Sequence, residues 1–198
     1  MIIHEMEQRS DEWFEVKKGK FSASDANTIQ ALGKGLDSLV YKKVAEIISG
    51  KDQDEYVSAD MERGVENEDF ARTAYEIATG NIVKQAGFIE LDEYTGCSPD
   101  GLVGDDGLVE IKCQRGYKYV ELAVTKEIDK KYLDQMQMQM YVTGRKWCDY
   151  VCYDENFPEP LIIRIDSDPE VHAKIKKGLD YGIKKLQETL ERFKNVGK

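Results

Sequence analysis

Hydrophobic positions follow a helical period in the first third of the chain and an alternating period in its middle. A short helix is predicted after Ser10, carrying Trp13, Phe14 and Val16, and a second opens near Ser22 or Ser24, both good caps. A third runs from about Asp37, with Leu39, Val40, Val44, Ile47 and Ile48 at helical spacing, and Gly50 stops it. A long fourth helix is expected from about Ser58 to Gly80. The period then changes. Asn81 to Leu91 holds β-branched residues before Gly87 and Phe88, and Tyr94 to Ser98 is another short extended run. Leu102-Val103, the turn Gly104-Asp105-Asp106-Gly107 and Leu108 to Cys113 read as a hairpin, with Asp-Gly as its turn signal. A helix from about Lys130 to Thr143, strands around Trp147 to Tyr153 and Leu161 to Ile165, and a helix from about Pro169 to Phe193 complete the pattern. No repeat and no Pro/Gly/Ser-rich linker divides it, so a single domain over residues 1–198 is expected. Its class is α/β, with a mixed central β-sheet flanked by helices.

Composition narrows what such a domain does. The formal net charge of −10 argues against a nonspecific basic nucleic-acid binder. Phosphate contact depends on local field, however, and lysines cluster in Lys17-Lys18-Gly19-Lys20 and at Lys126 with Lys130-Lys131. Those clusters read either as solvated faces or as phosphate contacts. Neither a charged leader followed by an apolar run nor an apolar stretch of spanning length occurs, so a cytoplasmic location is expected. Cys97, Cys113, Cys148 and Cys152 form no C-x-x-C pair and read as small buried hydrophobes; with only His4 and His172 beside them, a structural zinc site is not expected. No Walker-type phosphate loop occurs, which speaks against an ATP-driven motor.

The hairpin carries the candidate chemistry. Strand alternation puts Val109, Ile111 and Cys113 on one face and Leu108, Glu110 and Lys112 on the other. The turn returns the first arm so that Asp100, just after Pro99, lies within about one residue of facing Glu110. Two converging carboxylates form a hard oxygen site suited to Mg²⁺ or Mn²⁺. A lysine beside them would orient water or stabilise charge developing on a phosphoryl group. By itself Asp…Glu-x-Lys is a loose pattern, and an exposed strand edge with a Glu/Lys surface pair stays open at this point.

Further motifs, in order, span roughly residues 8 to 143, and together the chain resembles the phage lambda exonuclease and YqaJ-type viral recombinase family. That family lies within the PD-(D/E)xK superfamily. The resemblance is carried by Ser98-Pro99-Asp100-Gly101-Leu102 and Leu108-Val109-Glu110-Ile111-Lys112-Cys113. It extends to Gly64-Val65-Glu66-Asn67-Glu68 followed by Ala71-Arg72-Thr73 and Tyr75-Glu76, to Tyr132-Leu133-Asp134-Gln135-Met136-Gln137-Met138-Gln139-Met140-Tyr141, and to Trp13 followed by Lys17 through Ser24. What it implies is a restriction-endonuclease-like core and a Mg²⁺-dependent 5′→3′ exonuclease, with Mn²⁺ able to substitute. Asp100, Glu110 and the Ile111 carbonyl correspond to metal ligands, Lys112 to the catalytic lysine, and Glu68 and Gln135 to helix-borne partners of the site. Tyr132, Gln137, Ser24 and Lys17 correspond to phosphate or DNA contacts; at Lys17 the family's best-known member has arginine, so the bidentate fork is lost. The substrate implied is linear double-stranded DNA with a 5′-phosphate, degraded to leave a 3′ overhang. The resemblance also implies a homotrimeric ring, a single-strand-annealing recombinase as partner, and a phage- or prophage-encoded origin in a bacterial host. An endonuclease, an iron–sulfur nuclease of the same superfamily and a nonenzymatic DNA-end-binding protein are the alternatives.

Overall fold

The computed structural model describes residues 1–51 and 59–196. The chain runs through β1 (Ile2–His4), α1 (Asp11–Lys17), a 3₁₀ turn (Ala23–Asp25), α2 (Ala26–Ala31), α3 (Lys34–Ser49) and α4 (Ala59–Thr79). It continues with β2 (Val83–Lys84), β3 (Phe88–Asp92), β4 (Thr95–Cys97), β5 (Gly101–Val103) and β6 (Gly107–Cys113). The remainder is α5 (Gly116–Thr125), α6 (Lys130–Thr143), β7 (Trp147–Tyr153), β8 (Leu161–Asp166) and α7 (Pro169–Lys194). Ser58, the expected start of the fourth helix, lies outside the described residues.

Local chemistry sets most of these boundaries. The Ser10 hydroxyl accepts from the Trp13 N–H at 3.2 Å and starts α1. The Asp129 carboxylate accepts from Lys131 N–H at 2.9 Å to start α6, which stops at Gly144 with φ +68°. Asp168 caps α7 by accepting from Glu170 and Val171, with Pro169 in the first turn. α3 begins at Lys34, three residues ahead of the expected Asp37, because Leu36 already buries completely. Two elements were not foreseen, β1 and α5.

The five-stranded sheet has the order β2-β5-β6-β7-β8. β6 is its centre, antiparallel to β5 and parallel to β7. A parallel pair needs a crossover, and α5 and α6 supply it. One sheet face packs Val103, Val109, Ile111 and Val151 against Ala71 and Tyr75 of α4. The other packs Leu108, Cys148, Tyr150 and Cys152 into the main core with Met136, Met138 and Met140 of α6. The predicted alternation of β6 therefore holds, with both faces covered. Helices α2, α3 and α7 contribute Ile29, Leu36, Val40, Ile175 and Leu186 to the same main core. A smaller sheet, β1-β3-β4, is joined to the region of α1 by the buried Trp13 indole, which donates to Gly87 O at 3.1 Å and Ser98 Oγ at 2.8 Å. Among the described residues, no helix is long and apolar enough to cross a membrane.

Candidate active site

The β5–β6 register pairs Gly101 with Val109, so Asp100 and Glu110 come together one step further along. The Asp100 carboxylate accepts from the Ile111 N–H at 2.6 Å, which ties the two arms at the position the chemistry needs. Glu110 is wholly buried and turns toward α6. Its Oε1 accepts from Lys112 Nζ and from Gln135 Nε2 at 2.7 Å; its Oε2 accepts from Gln139 Nε2 at 2.6 Å. A buried carboxylate is tolerated only with such partners. The open alternative of a surface Glu/Lys pair is thereby removed.

A cleft of about 720 Å³ opens at this end of β6. Arg63, Gly64 and Glu68 of α4 form one wall, Lys131 and Tyr132 of α6 another, with Asp100, Ile111 and Lys112 between them. Glu68 accepts from Arg72 at 2.9 Å, one turn away on α4. The Tyr132 ring lies 5.2 Å from Lys112 Nζ and 4.6 Å from Lys131 Nζ, within cation–π range. Arg63 donates to Gln114 O at 3.0 Å and to Asp154 at 3.1 Å, which fixes the chain as it leaves β6.

Burial and the crowding of carboxylates dominate the electrostatics of the site. Burial, followed by repulsion from Glu110, outweighs Lys112 and pushes the Asp100 carboxyl up to about 8. Glu68 adds to that repulsion. Burial works against the Lys112 ammonium, but Glu110 and Asp100 outweigh it and raise its pKa, so the lysine stays protonated. Among the described residues, no three His, Cys, Asp or Glu side chains form a ready-made metal cage. Two carboxylates with a backbone carbonyl nevertheless suit a hard divalent ion that keeps water and substrate oxygens as its other ligands. The donor chemistry of Asp100, Glu110 and Ile111 thus fits such an ion.

The other expected residues divide. Gln135 and Tyr132 stand at the site, as the three-residue spacing on one helix face suggests. Gln137 does not, which corrects its expected place at the DNA. It is 6% exposed, donates to Asp166 O at 2.8 Å and accepts from Asp168 N–H at 2.9 Å, so both ends of its amide join β8 to α7. Lys17 and Ser24 lie outside the cleft lining. Lys17 Nζ sits 4.5 Å from the Trp13 ring centroid, and Trp13 in turn bonds Ser98, two residues before Asp100. Exposed Ser24 has its Oγ 2.9 Å from Ser22 Oγ. All four cysteines are free, three of them buried, and burial pushes the Cys152 thiol up to about 12. They fill core space as expected.

Arg63 and Gln139 were not foreseen. Arg63 directly precedes the recognised Gly64, and Gln139 lies four residues after Gln135, so helical spacing was the available signal for the second.

The mixed sheet with a carboxylate pair and lysine at the end of its central hairpin defines the restriction-endonuclease-like class. Within it, the chain belongs to the YqaJ-like viral recombinase domain family, whose model matches residues 12–146. The structure is similar to that of an alkaline exonuclease from Laribacter hongkongensis, at 34% identity and TM-score 0.87, over 94% of this chain and 97% of that one. The same figures hold for that exonuclease in complex with dAMP. A phage-related exonuclease from Haemophilus somnus 129PT shares the fold at TM-score 0.69 and 18% identity, over 88% of this chain and 96% of that one. No curated protein matches the sequence.

Proposed function

We propose that the chain is a Mg²⁺-dependent 5′→3′ exonuclease that hydrolyses one strand of linear double-stranded DNA. The observation that carries this reading is the convergence of Asp100, Glu110, Lys112 and Gln135, with Asp100 and Lys112 lining the cleft and Glu110 buried and bonded to Lys112 and Gln135. The alkaline exonuclease likeness at 34% identity, and the dAMP complex of that relative, support a DNA substrate. Asp100, Glu110 and the Ile111 carbonyl would hold Mg²⁺, with Mn²⁺ able to replace it. Such an ion polarises a phosphoryl oxygen and acidifies water.

The remaining roles belong to the chain. Lys112, kept protonated by its carboxylate neighbours, supplies positive charge where negative charge develops on the scissile phosphate. Gln135 shares Glu110 Oε1 with Lys112 and limits where that ammonium can sit. Glu68 faces the cleft from α4 and helps place the attacking water. Tyr132 and Lys131 form a wall on which the DNA strand rests. Lys17 and Ser24 receive the 5′-phosphate, reached through the Trp13–Ser98 link to Asp100.

The product is a 3′ overhang suited to strand annealing, which makes a single-strand-annealing recombinase the expected partner. A homotrimeric ring reconciles the −10 charge with DNA binding, since an acidic exterior would confine DNA to a lysine-lined channel.

The test is digestion of linear duplexes with 5′-phosphate or 5′-hydroxyl ends, in Mg²⁺ or EDTA, beside Lys112→Ala. Loss of activity in EDTA and in Lys112→Ala is expected, with faster digestion of phosphorylated ends. Degradation that survives EDTA rules out the metal, and cutting of closed circles rules out an exonuclease. A monomeric solution mass at working concentration rules out the ring.

A further inference from the structure

Glu110 has no access to solvent, and its two oxygens are held unequally. Lys112 and Gln135 share Oε1, whereas Oε2 accepts from Gln139 alone, at 2.6 Å. Gln139 sits about one turn beyond Gln135 on α6 and is itself fully buried. Its amide is half used. Nε2 serves Glu110, while Oε1 meets no donor.

A buried carbonyl without a donor destabilises a fold, and an apolar side chain of similar length would avoid that cost. The chain places such a side chain at Met136, Met138 and Met140, all inaccessible to solvent. Packing alone therefore gives no reason for a glutamine at position 139. The contact with Glu110 does. It also sets the amide's orientation, because the flipped amide would bring Oε1 against a carboxylate oxygen.

We propose that Gln139 is a positioning residue, whose hydrogen bond to Oε2 fixes the rotation of the Glu110 carboxylate and so the direction in which it offers lone pairs to the divalent cation. This rests on the metal-dependent reading above. Without Gln139, both remaining donors pull on one oxygen, and the carboxylate turns about its Cγ–Cδ bond. Removing hydrogen-bond partners of metal-binding side chains typically changes metal affinity or activity by about 10–100-fold.

The test pairs calorimetric titration of the DNA-free protein with MnCl₂ or MgCl₂ and thermal melting in EDTA, for the wild type and Gln139→Met. The variant is expected to fold but to melt below the wild-type temperature in EDTA, because Glu110 Oε2 loses its donor, and to bind Mn²⁺ about 10–100-fold more weakly. DNA digestion should recover as metal is raised, so that the metal KM moves more than kcat. Unchanged Mn²⁺ affinity in folded Gln139→Met overturns the role of Gln139 and leaves the metal reading standing. A wild-type protein that takes up neither ion overturns both. If Gln139→Met does not fold, a crystal structure of the wild type grown with Mn²⁺ decides. Nε2 still within hydrogen-bond distance of Glu110 supports the role, and Nε2 turned away ends it.

Discussion

The β5–β6 hairpin and the Lys17–Ser24 segment, the two regions proposed to meet DNA, hold their charged groups in different ways. At the hairpin the side chains themselves are locked. Glu110 accepts from three donors, and Asp100 is pinned by a backbone N–H. In the other segment it is the backbone that is locked. Gly19, at φ +72°, donates to Glu46 at 3.1 Å, and Glu46 is itself fixed in a buried pair with Lys43 at 3.2 Å. The side chains there make local contacts: Lys18 to Glu15, Lys20 to Glu93 O, and Lys17 over Trp13. Bond cleavage demands direction, so it is built from groups that cannot turn. The proposed grip on a terminal phosphate would need charge at adjustable reach, which long ammonium side chains on a fixed loop can supply.

That contrast breaks most severely at Glu110. Glu110→Gln puts a buried amide among three donors, so at least one of them loses its acceptor. Digestion is expected to slow by about 100–1,000-fold, and the EDTA-treated protein to melt at a lower temperature. Near wild-type rates in a single-turnover assay would reduce the hairpin to a structural device. Lys17→Ala should act more gently and selectively. Preference for 5′-phosphorylated over 5′-hydroxyl ends is expected to drop by about 10-fold, roughly the 1.4 kcal/mol of an exposed charge-assisted contact. An equal fall on both ends would mean that Lys17 serves the Trp13 packing instead. The smallest effect is expected at Gly64, in the interior of α4, where an added Cβ meets nothing within 4 Å. Gly64→Ala should raise stability by about 1 kcal/mol through helix propensity while slowing digestion a few-fold, because the methyl enters the cleft. A stabilised variant with unchanged activity would show that DNA does not approach this part of α4.

What was legible in the sequence follows from how locally each feature is specified. β6 and β7 announce themselves through alternation and β-branched content, and α6 through its cap at Asp129 and its stop at Gly144. Asp100, Glu110 and Lys112 were readable because a short turn determines how the two arms meet. α5 was not, because its apolar residues point the wrong way. Tyr117, Val120 and Val124 are 67%, 49% and 78% exposed, and only Tyr119 and Leu122 bury. β1 is three residues long and depends on pairing with β3, far along the chain. Gln137 and Gln139 look alike in a Gln/Met alternation, yet one braces the entry to α7 and the other reaches Glu110. A difference of two residues on a helix is about 200° of rotation, and tertiary packing decides which direction is the active site.

The parallel pairing of β6 with β7 has a consequence in time. Its register joins Lys112 to Cys152 and Gly107 to Trp147, across the whole α5–α6 crossover. Such non-local contacts close late, after the entropy of the intervening loop has been overcome. The hairpin that brings Asp100 to Glu110 can form early, but Gln135 and Gln139 arrive only with α6. A growing chain that has made the hairpin but not α6 thus carries its carboxylates without their cradle.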